Sequence, residues 1–252
     1  MRKIIIIAPH PDDEVFAIKK VKAIKNINDS VSILFLSGST IRLNEAKESC
    51  KYLGFEHLTM QRTERDLLQD GLFHEKFKEL ITVLERLCEG FNLVLSPAIE
   101  GGHQDHDTTA LALLCSLETF KRNNTQIYFY PCYTSWKETF LYKANSRSTY
   151  LNDLMVPSKI NITNSCIREE MHLAYCIYKT QLKTWLFLYP VMLVRYLMRR
   201  PEIIYKVNEN AYHQGLNIMN SFKQRPLYEI HGRLKFKAWK QYAKSTLNNG
   251  SL

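Results

Sequence analysis

The sequence predicts an α/β fold of Rossmann-like, three-layer build, with a mostly parallel sheet flanked by helices and a largely helical C-terminal elaboration. Three observations carry this: short apolar runs without period-two alternation, helical periodicity between them, and turn or cap residues at the junctions. Lys3 to Ala8 is a near-continuous isoleucine run, the pattern of a strand buried on both faces. From Asp13 to Lys25 the spacing turns helical, with Val15, Ile18, Val21 and Ile24 on one side. Val31 to Leu36 reads as a second strand ending in Ser-Gly-Ser-Thr, and Arg42 to Leu53 as a second helix closed by Gly54. Phe73 to Cys88 is a third helix, Phe91 to Ser96 a third strand, His106 to Phe120 another helix and Gln126 to Pro131 another strand. Beyond about residue 135 the alternation fades, although Ile167 to Leu188 keeps helical character. One domain spanning 1–252 is expected, with an α/β core over 1–135 and the elaboration over 136–252.

Composition excludes little. With 45% hydrophobic and 23% charged residues, the 252-residue chain has the balance of a soluble globular protein. Its net charge of +9 favours an anionic partner without choosing among phosphate, nucleic acid, a sugar acid or an acidic membrane surface. The six cysteines form no CxxC pair and read as reduced residues of a cytosolic protein. The apolar run after Met1 is too short for an export signal and meets acids at Asp12, so a cytoplasmic location is expected. Trp185 to Val194, broken by Pro190, is too short to cross a bilayer.

Chemistry concentrates where the first strand ends. In HPDDE, Pro11 keeps His10 out of helical geometry and is expected to open the helix, placing Asp12 and Asp13 in its first turn. His10 and Asp13, three apart, can face one point while Asp12 projects elsewhere: two metal ligands and a free base. Alone, however, such acids more often cap a helix and complement its dipole. A second cluster changes the weighing. GGHQDH places His103 and His106 three apart with Asp105 between them, after a glycine pair that permits close backbone approach. Here too a capping role for Asp105 is the plain alternative. In open α/β sheets ligands bind at the carboxyl ends of strands, so both clusters belong to one sheet edge. Two histidines and a carboxylate form an open zinc site, which acidifies water and polarises a carbonyl.

The pair PHPDDE and GGHQDH, about ninety residues apart, resembles the PIG-L/LmbE-like zinc-dependent N-deacetylases. The resemblance implies one Zn2+ per chain held by His10, Asp13 and His106, with Asp12 as general base. It further implies that His103 serves the leaving amine and the charged intermediate while Asp105 orients a histidine. Arg42 to Phe55 looks like the family's Arg-x-x-Glu helix, LLQDGLF like a substrate-loop Asp region, and Ala174 to Gln181 like a late Tyr-x-Ser-Gln helix with Thr180 in the serine's place. Where family members have a small-residue turn after HPDDE, this chain has VFAIKKVKAIK, whose Lys19, Lys20 and Lys22 are expected to face solvent.

The reaction so implied is hydrolysis of the N-acetyl group of an amino sugar or glycoconjugate, with a protonated His103 beside the oxyanion and Arg42 and Asp70 contacting the sugar or a phosphate. Plainer readings exist: Arg42 as a helix start, Asp70-Gly71 as a turn. The alternatives are an amidase on a non-sugar or thiol-conjugate substrate, a non-haem enzyme with Fe2+ or another divalent metal, and a basic binder of membrane or nucleic acid. Nucleic acid rests on charge alone. Residues 181–200, with Arg195, Arg199 and Arg200 after an apolar run, form either a core helix with a basic end or a peripheral contact with the inner face of a membrane.

Overall fold

The computed structural model describes residues 1–135, 142–144, 155–160, 164–207, 227–230, 234 and 236–249. In chain order the strands are β1 (Lys3–Ala8), β2 (Ser30–Phe35), β3 (Glu56–Leu58), β4 (Leu93–Pro97), β5 (Gln126–Tyr130), β6 (Tyr133–Ser135), β7 (Tyr142–Ala144), β8 (Met155–Ile160) and β9 (Glu202–Val207). The helices are α1 (Glu14–Ile24), α2 (Thr40–Leu53), α3 (Arg62–Leu67), α4 (Phe77–Leu87), α5 (Gln104–Cys115), α6 (Leu117–Arg122), α7 (Asn164–His172), α8 (Leu182–Leu197), α9 (Leu227–Ile230) and α10 (Phe236–Asn249). A seven-stranded sheet runs β3-β2-β1-β4-β5-β9-β8, and β6 pairs with β7 apart from it. The first five strands are parallel, whereas β9 and β8 run antiparallel at the far edge. The α/β class expected from the sequence is the one observed.

Burial explains why the isoleucine run carries no alternation. Ile5 and Ile7 enter a cluster with α4 and α5 on one face, while Ile4, Ile6 and Ala8 enter a second with α1, α2 and α8 on the other. A strand covered on both faces has no solvent side to mark. The chain builds β2 and β3 to one side of β1 and then crosses back to lay β4 on its other side. This reversal opens a crevice at the carboxyl ends of β1 and β4.

The C-terminal half does more than decorate. Besides its helices it supplies β8 and β9, which extend the central sheet beyond β5. Parts of this region, 136–141, 145–154, 161–163, 208–226 and 231–233, lie outside the described residues. Its packing also corrects one expectation, because Lys19 and Lys20 do not face solvent. They are 3% and 0% exposed, since α7 and β9 cover that side of α1. Lys19 Nζ lies 3.1 Å from carboxylate oxygens of Glu170 and of Glu202, and Lys20 Nζ lies 2.7 Å from Glu202. Lys22, on the rim, pairs with Glu169 at 2.5 Å. The lysines that looked like a solvated face clamp the C-terminal half onto the first helix. Among the described residues, no helix is long and apolar enough to cross a membrane.

Candidate metal centre

The site starts with a turn, not with a helix. Asp13 N donates to the His10 carbonyl at 3.2 Å, and α1 begins only at Glu14, so Pro11 opens this turn instead of the helix. Asp12 at the crown has φ +106°, a conformation that costs a non-glycine residue on the order of 1–3 kcal/mol. Its surroundings enforce it. Asp12 N donates to Glu14 Oε2 at 3.1 Å, and Arg42 donates to Pro11 O at 2.7 Å and to Asp12 Oδ1 at 2.9 Å. Glu14, fully buried, is in turn held by the hydroxyls of Ser49 and Tyr178. Burial pushes its carboxyl up to about 7.

Neither acid acts as a cap. Asp13 occupies the N-cap position of α1 without a side-chain cap bond. Its Oδ2 instead accepts from His10 N at 2.8 Å and lies 3.1 Å from His10 Nδ1, while its Oδ1 lies 3.0 Å from His106 Nε2. At α5 the cap is His103, whose Nδ1 accepts from Asp105 N at 3.3 Å. Asp105, fully buried, accepts from Gly71 N at 2.6 Å and Phe73 N at 3.3 Å, and its Oδ2 lies 3.0 Å from His10 Nε2 but 4.0 Å from His103 Nδ1. The histidine that Asp105 holds is therefore His10. Asp70, half exposed on the loop that Asp105 anchors, comes within 3.3 Å of His10 Nε2 and 3.4 Å of Arg42. The structure thus gathers all eight residues singled out in the sequence into one cluster, six of them lining a crevice and Asp105 and His106 buried behind it, and it turns Arg42 onto Asp12.

The donor set fits a divalent cation. The ring centroid of His10 lies 4.6 Å from that of His103 and 5.5 Å from that of His106. Nitrogen and oxygen atoms cluster within 4.8 Å in two overlapping groups, His10 with His103 and His106, and His10 with Asp70, His103 and Asp105. His106 Nε2 is buried and makes no hydrogen bond although Asp13 Oδ1 is 3.0 Å away, an arrangement suited to two donor atoms sharing an ion. Protonation tells the same story. Burial opposes a charge on His10, yet the bonds from Asp105, Asp13 and Asp70 outweigh it and hold its pKa well above the usual imidazole range. The pairing of His10 with Asp105 on one nitrogen and Asp13 on the other is the carboxylate–histidine arrangement that aims a metal-binding ring.

Two neighbours of the cluster have shifted acidities. Burial, reinforced by Asp13, raises the Asp12 carboxyl well above its ordinary value, as suits a proton acceptor, and Arg42 works against that shift. Burial and the nearby His10 push the His103 imidazole down to about 3, which disfavours its protonated form in the free site. Nothing in the residue spacing carried this, because desolvation is a property of the packed site.

A cavity of about 370 Å³ opens over these groups, lined by His10, Asp12, Arg42, Asp70, His103 and, beyond the sequence-predicted set, by Tyr133, Gln181 and Trp185. Its size falls among small-molecule sites. Gln181 sits in the late motif noted in the sequence, and the preceding Thr180 bonds Glu45 of the Arg-x-x-Glu helix through both its backbone N–H and its hydroxyl. The two weaker motifs are therefore in contact. Tyr133, tilted against His106 at 5.7 Å between centroids, had no sequence signal. Gly102 explains the glycine pair, since a Cβ there would lie 1.9 Å from Tyr133 O. Gly102→Ala is expected to destabilise the fold by roughly 1–3 kcal/mol and to loosen His103, read as a lower melting temperature and weaker metal retention.

An open α/β sheet with a buried histidine–carboxylate cluster at its switch point defines a class, that of α/β proteins with a small-molecule crevice at the strand ends. Within that class, residues 5–115, which include both motifs, match the family described as PIG-L: GlcNAc-PI de-N-acetylase. The resemblance read from the two motifs is borne out over that span. The fold is similar to that of the zinc-inhibited form of teicoplanin deacetylase Orf2, with a TM-score of 0.55 at 12% identity over 82% of this chain and 98% of that one. It is equally similar to A40926 pseudoaglycone deacetylase Dbv21, with a TM-score of 0.55 at 15% identity over 82% and 97%. At such identities the likeness is one of fold. No curated protein matches the chain in sequence.

Proposed function

We propose that this chain is a metal-dependent N-deacetylase that hydrolyses the N-acetyl group of an amino sugar or glycoconjugate, releasing acetate and a free amine. The bridging position of Asp13, with Oδ2 3.1 Å from His10 Nδ1 and Oδ1 3.0 Å from His106 Nε2, beside a buried Asp12 that Arg42 holds, carries the reading. The de-N-acetylase family match and the deacetylases among the fold relatives support the reaction class.

His10, Asp13 and His106 are the residues that would hold the ion, Zn2+ in this reading. Such an ion supplies Lewis acidity, polarising an amide carbonyl and acidifying a water. The chain supplies the rest. Asp12 accepts the proton of the attacking water and Arg42 keeps its carboxylate aimed into the crevice. The ring N–H of neutral His103, whose Nδ1 accepts from Asp105 N, donates a hydrogen bond to the developing oxyanion, and Asp12 gives the proton it took from the water to the departing amine. Asp105 fixes His10, and Asp70, on the open rim, is the group best placed to meet sugar hydroxyls. Trp185 and Tyr133 wall the crevice against water.

The test is acetate release from N-acetylated amino sugars by protein of known metal content. Chelation is expected to abolish release and metal to restore it, while elemental analysis finds about one ion per chain, lost in His106→Ala. Metal-loaded protein that frees no acetate from any N-acetylated amino sugar would overturn the substrate class, and full activity without metal the mechanism.

A further inference from the structure

α8 is apolar on both sides, yet among the described residues only one side is covered. Trp185, Leu188, Tyr189 and Met192 are buried in the core cluster that α1 and α2 share. The opposite side exposes Leu186 by 55%, Phe187 by 73%, Val194 by 53% and Leu197 by 70%, with Met198 just beyond the helix end exposed by 59%. Six of the large hydrophobic residues exposed among the described residues, Leu182 included, fall on this one short segment. Single exposed apolar residues are ordinary, but a contiguous stripe on a helix is not left in water without a partner.

The charge around the stripe selects that partner. From Lys179 to Arg200 the sequence carries Lys179, Lys183, Arg195, Arg199 and Arg200 and no acid. Arg199 and Arg200 are exposed at one end and Lys179 and Lys183 at the other. A bulky apolar stripe flanked at both ends by basic residues, in a chain of net charge +9, is the pattern of a helix lying in the plane of an anionic bilayer. A soluble protein partner would need matching acids at both ends, and nothing in the stripe itself offers a second copy an oppositely charged face. Thr184, which is exposed, and Trp185 and Leu188, which are buried, also line the crevice, so the mouth of the site borders this helix.

We infer that α8 docks the protein peripherally on anionic phospholipid membranes, with Leu186, Phe187, Val194 and Leu197 in the acyl boundary and the basic ends at the headgroups. The docking does not depend on the deacetylase reading. Co-sedimentation of the whole protein with phosphatidylcholine vesicles, with and without phosphatidylglycerol, tests it. Binding is expected to the anionic vesicles and to weaken at high salt. The double variant Phe187→Glu with Leu197→Glu is expected to bind at least tenfold more weakly, because each change takes a bulky side chain from lipid and sets an acid at an anionic surface. Both residues are exposed and lie outside the crevice, so the variant's circular dichroism and its acetate release from a soluble substrate should be unchanged. Arg199→Ala with Arg200→Ala should retain the apolar component and lose part of the salt-sensitive one. Absence of binding to anionic vesicles, or undiminished binding by the Phe187/Leu197 variant, overturns the inference. So does a dimer in light scattering that the same variant dissolves, which would assign the stripe to a second copy. Inactivity toward every acetylated substrate alongside intact vesicle binding would remove the enzymatic reading and leave this one standing.

Discussion

Asp12→Asn is expected to cut acetate release by two to four orders of magnitude, about what a positioned general base contributes, while metal content stays near one ion per chain. The reasoning is geometric. Asp13 is engaged by both His10 and His106, and Asp105 by His10 and two backbone amides, which leaves Asp12 as the buried carboxylate facing the crevice with a side-chain partner, Arg42, that does not belong to the donor cluster. Its strained backbone, φ +106°, aims it there and is preserved in the isosteric amide. Asp13→Asn is the contrasting variant and should lose the metal as well as activity. Normal acetate release by rigorously purified Asp12→Asn would end the assignment.

Glu202→Gln should lower the stability of the protein by about 3–5 kcal/mol, because it leaves buried lysine charge under-compensated. Glu202 is 4% exposed and lies 3.1 Å from Lys19 and 2.7 Å from Lys20, both deeper still. Burial and the like charge of Glu202 are among the influences that leave Glu170 raised to about 7, so it is a weak substitute at neutral pH. For a chain of this size the loss corresponds to a drop in melting temperature of roughly 10 °C by calorimetry. The double variant Lys20→Met with Glu202→Met should recover much of it, since the pair is replaced together and Lys19 keeps Glu170. An unchanged melting temperature in Glu202→Gln would show that these ion pairs do not hold the C-terminal half to α1.

How much of this was legible in the sequence differs by element. Strands buried on both faces announce themselves as unbroken apolar runs, so β1, β2, β4 and β5 were read within a residue or two. The strands β3, β8 and β9 were not, because short edge strands with mixed composition carry no periodic signal and exist only through their pairing. The break between α7 and α8, where Leu173–Ile177 forms a π-helical turn that sets Tyr178 onto Glu14, was read as one continuous helix. Local spacing cannot show a distortion whose cause is a tertiary hydrogen bond.

The sequence by itself determined which donor and acid side chains the site carries, and that both motifs stand at the carboxyl ends of parallel strands. Ligand types and strand ends are local properties, carried by residue identity and by the change from buried run to turn. The tertiary structure alone decided the partnerships. It gave His10 to Asp105, turned Arg42 onto Asp12, buried His103 so that its protonated form is disfavoured, sank Lys19 and Lys20 beneath β9 and α7, and left one side of α8 uncovered by the described residues. Each of these depends on desolvation or on contacts between residues distant in the chain, and those arise only when the two halves pack.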